Sequence, residues 1–143
     1  MTGVQTCALP ISYTTFTITG TGTAVHITGG TAGTALDLRL EMNAGAKLAV
    51  GAYDTVAAAG AKPVLLISHG TTLCGAKSVG RVVIDQVAVN AAGHLTRLVA
   101  RWQFRCNGAA AASFGGVTWN GTAAFHTRTL SPASIDFGNQ RMG

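Results

Sequence analysis

Charge is scarce in this chain. Only 10% of its 143 residues are Asp, Glu, Lys or Arg, against about 25% in an ordinary globular domain. Acids are the scarcer sign, five against ten Lys and Arg, which leaves a net charge of +5. The seven Arg and three Lys form no run, and aromatic residues make up only 6%. The basic patch with stacking rings that nucleic-acid binding uses is therefore missing, and no nucleic-acid partner is expected. No apolar run approaches the ~20 residues of a membrane helix, so no membrane span is expected. Glu, Lys and Leu are too few for a strongly helical protein. Neither Cys-x-x-Cys nor His-x-x-x-His occurs, so no metal site or cofactor is expected.

What is abundant is Gly, with 19 residues, together with Thr, Val and Ala. Frequent Gly among β-branched residues favours short strands joined by turns. The strand signals fall at Tyr13–Thr19, Ala24–Thr28, Ala35–Met42, Lys47–Tyr53, Val64–Ser68, Ser78–Asn90, His94–Cys106 and Phe114–Trp119. Leu36, Leu38 and Leu40 alternate with Asp37, Arg39 and Glu41, the period-two mark of a half-buried strand. Val56–Ala61 has room for one helical turn, limited by Gly60 and Pro63. The strongest hairpin signal joins Ser78–Asn90 to His94–Cys106 through Asn90-Ala91-Ala92-Gly93. In its second arm Leu98, Ala100, Trp102, Phe104 and Cys106 alternate with a basic strand face carrying Arg97, Arg101 and Arg105. Seven to eight short strands with frequent turns indicate an all-β fold, read here as an antiparallel β-sandwich over residues 13–121.

Catalytic chemistry has little to work with, and no enzyme is expected. Asp37 and Glu41 lie on a strand face that reads as exposed, Asp54 reads as a turn residue, and Asp85 reads as a partner for an Arg across the hairpin. Ser68-His69-Gly70 with Asp54 is the one arrangement that invites a triad. It lacks the Gly-x-Ser-x-Gly elbow, and neighbouring Ser and His on a strand point to opposite sides. His26, His94 and His126 have no companions at ligand spacing. Gly20-Thr21-Gly22 and Gly29-Gly30 read as turns, since no strand–loop–helix unit supports a phosphate site.

Three resemblances organise the chain. Met1 to Ile11, Met-Thr-Gly-Val-Gln-Thr-Cys-Ala-Leu-Pro-Ile, resembles the translation of a short-read sequencing adapter. That implies residues 1–12 are a disordered artefact, that a signal peptide has been lost, and that Cys7 stands outside the cysteine count. Residues from about 48 to 120 resemble a β-sandwich module of secreted bacterial proteins. The landmarks are Gly51-Ala52-Tyr53, Cys74 before a strand, a long hairpin with a Gly turn, Phe104 to Cys106, and a closing Gly116 to Asn120. That module carries an acidic residue before its second Cys, where this chain has Arg105. Finally, Leu130-Ser131-Pro132-Ala133-Ser134-Ile135-Asp136-Phe137-Gly138 and Gly143 resemble the first strand of an abnormal-spindle/hydin-type immunoglobulin-like domain. Residues 130–143 then start a second domain, truncated here, with 122–129 as linker.

These resemblances imply a secreted or cell-surface bacterial protein, hence an oxidising setting in which Cys74 and Cys106 form a disulfide. Two buried free thiols are the alternative. The expected function is a non-catalytic structural or spacer module whose partners are neighbouring immunoglobulin-like domains. The alternative is a carbohydrate-binding or adhesive module for an extracellular glycan. Tyr53 and Trp119 are its candidate ligand platform.

Overall fold

A computed structural model describes residues 16–30, 35–58, 60–70 and 74–121. The expectations for 1–12, 122–129 and 130–143 lie outside these residues. The described chain is all-β, with eight strands: β1 (Phe16–Gly20), β2 (Ala24–Gly29), β3 (Leu36–Glu41), β4 (Gly51–Val56), β5 (Val64–His69), β6 (Val79–Val89), β7 (Leu95–Arg105) and β8 (Ser113–Trp119). β4 begins later than the Lys47–Tyr53 signal. Asn43 to Ala46 closes a turn, and the Leu48 N–H goes to the Gly22 carbonyl at 2.7 Å, so ladder pairing starts only at Gly51.

The strands run in the order β1-β2-β3-β5-β4-β6-β7-β8. β1, β2, β3 and β5 form one antiparallel half, and β4, β6, β7 and β8 form the other. The halves join where β4 ends beside the start of β5, at the parallel pair Val56↔Val64. There the Val56 N–H donates to the Pro63 carbonyl at 3.0 Å. This joint keeps the sheet continuous, which corrects the expected antiparallel two-sheet sandwich to one mixed, curled half-barrel. The curl brings the β1–β2 turn back onto the start of β7 through the bridge Thr21↔His94.

The concave side holds the core. Val25, Ile27, Leu38, Leu40 and Leu65 from the first half meet Val82, Ile84, Leu98, Ala100 and Phe104 from the second. Burying each large aliphatic side chain contributes about 1.5–3 kcal/mol. Leu65 approaches Gly80 of β6, and Leu95 approaches Gly20 of β1, so packing stitches both meeting lines of the halves.

The β6–β7 hairpin turns at the expected tetrapeptide. The Asn90 side-chain oxygen accepts from the Ala92 and His94 N–H groups, each at 3.0 Å. Gly93 takes φ 84°, a left-handed conformation that costs a side-chain-bearing residue about 1 kcal/mol.

Candidate functional site

Cys74 and Cys106 are bridged, with their Cα atoms 5.0 Å apart and 32 positions apart in sequence. Cys106 opens a short 3-10 turn, Cys106–Gly108, after β7. The neighbouring Asn107 reinforces the bridge. Its side-chain oxygen accepts from the Gly75 N–H at 2.7 Å, and its own N–H donates to the buried Ser78 hydroxyl at 2.9 Å. The segment leading into β6 is thus tied to the end of β7 by covalent and hydrogen bonds.

Tyr53 and Trp119 both sit on the concave face and rest half-buried against the core. Tyr53 pairs with Val82 and Trp119 with Leu98, so β6 and β7 separate them. Three strand spacings put them about 14 Å apart or more. The Tyr53 hydroxyl also donates to the Ala49 carbonyl at 2.9 Å. Trp102 lies inward as expected, with its indole over the bare Cα of Gly115.

Polar chemistry gathers on the convex side, in two places. On β2 and β3, His26 Nε2 and Arg39 Nε both donate to the same Asp37 oxygen, each at 3.2 Å. A carboxylate offers only lone pairs, so Nε2 is the protonated ring nitrogen. Partial burial pushes the Asp37 carboxyl upward, but the hydrogen bonds from His26 and Arg39, and then their charges, outweigh it. The net result holds Asp37 below its ordinary value of 3.8. A shallow depression of about 340 Å³ beside this cluster is lined by Thr19, His26, Arg39 and Glu41 among others.

The second place is the side of β7 that carries Arg97, Arg101 and Arg105. Arg101 meets Asp85 at 3.2 Å, the cross-hairpin pair expected from the sequence. Asp54 is a strand residue rather than a turn residue, and its carboxylate takes Arg81 at 2.8 Å. Arg97 donates from Nε to the Asn120 carbonyl at 3.0 Å. Arg105 donates from one terminal nitrogen to the Ala109 carbonyl at 3.2 Å and to that of Ala110. Four guanidiniums therefore share two carboxylates, and among the described residues Arg97 and Arg105 have carbonyl partners but no ion-pair partner.

The structure does not assemble the Ser68/His69/Asp54 arrangement. With Val56 beside Val64, Asp54 and His69 stand seven residues apart along parallel strands, roughly 23 Å. No group of three or more His, Cys, Asp or Glu able to hold a metal occurs among the described residues. Nor is any described helix long and apolar enough to cross a membrane.

Local pattern missed the His26–Asp37–Arg39 cluster because His26 belongs to a different strand. The β2–β3 register, which sets His26 opposite Arg39, is what creates it. No protein-family model, curated protein or solved structure matches the chain.

Proposed function

We propose that this chain is a non-catalytic structural module of a secreted or cell-surface multidomain bacterial protein, acting as a stiff spacer beside immunoglobulin-like domains. The observation that carries the reading is the Cys74–Cys106 bridge with its Asn107 clasp, which locks the segment before β6 to the end of β7. Such a bridge persists in an oxidising compartment and stiffens a small β fold. The bacterial and multidomain parts of the reading rest on the resemblances at 48–120 and 130–143.

Thiol counting on denatured, unreduced Cys7→Ser chain, exported to an oxidising compartment, tests the reading. No reactive thiol is expected, and two would remove its basis.

The carbohydrate-binding alternative, in its neutral-sugar form, depends on Tyr53 and Trp119 as stacking rings. Their seating against the core on separate strands favours packing over display. A rise in Tm with a neutral glycan, lost in Trp119→Ala, would reverse that preference.

A further inference from the structure

Phe114 is 67% exposed on the convex side of β8, an edge strand of the sheet. It pairs with Gln103 across β7–β8, so its diagonal neighbours on β7 are Arg101 and Arg105. Diagonal residues stand about 7–8 Å apart, within reach of long side chains. Beside Arg101 the β8 partner is Gly116, which places no side chain over the guanidinium.

The charges around the ring are unequal. Arg101 is matched by Asp85, and Arg81 in the next row is matched by Asp54. Arg105 and Arg97 keep uncompensated charge among the described residues, yet backbone carbonyls already hold their guanidiniums. A guanidinium fixed in this way loses little freedom when it takes an anion, and its remaining N–H groups suit a planar carboxylate or a sulfate. Arg97 and Arg105 are eight residues apart on one strand, about 26 Å. That is the reach of a chain of sugar rings rather than of one ring.

We infer that the convex face of β7 and β8 binds an acidic polysaccharide, with Phe114 stacking on a sugar ring and Arg105 and Arg97 taking its carboxylate or sulfate groups. A single exposed ring suits this ligand better than single-stranded nucleic acid, which stacks successive bases on several rings. The surface lies on the opposite face from Tyr53 and Trp119. It goes beyond the spacer reading, adding a contact through which the module would rest on an anionic surface polymer.

The test uses the full chain on immobilised polygalacturonate (carboxylate), heparin (sulfate) and dextran (neutral), with single-stranded DNA as competitor. Retention on at least one acidic polymer, weakened by salt and absent on dextran, is expected. Phe114→Ser, at an exposed position, should lower affinity about tenfold with Tm and the disulfide unchanged, and Arg105→Ala should do the same or more. Lack of retention on both acidic polymers overturns the inference. So does unaltered binding by Phe114→Ser, or DNA competing as strongly against this variant as against the wild type, since either would mark general attraction to cations. These failures would leave the spacer reading standing, because that reading is tested by thiols and not by ligand.

Discussion

At the scale of single residues, Trp102 packs directly against Gly115. A Cβ on residue 115 would stand 2.7 Å from three indole atoms. Gly115→Ala should therefore displace the ring and cost about 1–3 kcal/mol, read as a lower urea midpoint with a red-shifted tryptophan emission. Asp37 carries the clearest pH signature. Its folded pKa lies below the ordinary 3.8, so the stabilisation it supplies is complete above that value and fades as pH falls through the folded pKa. Its side chain is 39% exposed, so solvent screening limits the effect to a few tenths of a kcal/mol. Wild type and Asp37→Asn should differ in urea midpoint at pH 7 and converge well below pH 4. A difference that grows on acidification would contradict the assignment.

At the scale of elements, the β6–β7 hairpin is the spine of the molecule, with two arms of 11 residues. Its turn is held by Asn90 and its open end by the disulfide and Asn107. The closed loop spans 32 positions, so loop-closure entropy gives the bridge about 3–4 kcal/mol. Denaturant titration of Cys74→Ser/Cys106→Ser should show that loss, and reductant should lower the Tm of wild type but not of the double variant. The hairpin was legible from sequence because its alternation, its Asn-to-Gly turn and its inward Trp102 and Phe104 are all local. The late start of β4 was not, because the Leu48 N–H is claimed by Gly22 from another part of the chain.

At the scale of the whole molecule, the two antiparallel halves share one core but few backbone pairings. Val56↔Val64 joins the backbones, Thr21↔His94 bridges the far side, and Leu65 against Gly80 packs the space between. Leu65 is 1% exposed, so Leu65→Ala should cost about 2–5 kcal/mol. Because the halves share one core, unfolding of that variant should remain a single transition by circular dichroism and tryptophan fluorescence. Separate transitions by the two probes would mean that the halves fold independently.

The sequence by itself determined the all-β class, the positions of most strands, the inward set Leu98, Ala100, Trp102 and Phe104 of β7 and Leu38 and Leu40 of β3, and the absence of common metal motifs, whereas Val99, on the other side of β7, is buried too. These follow from period-two alternation, turn chemistry and residue spacing, which are properties of neighbours along the chain. Tertiary structure alone decided that β5 pairs with β3 while touching β4 at one residue, which turns a sandwich pattern into a curled half-barrel. It also decided that His26 joins Asp37 and Arg39, and that Phe114 stands between Arg101 and Arg105. Such groupings depend on strand order and register between distant segments, and alternation within one strand carries no information about which strand lies beside it.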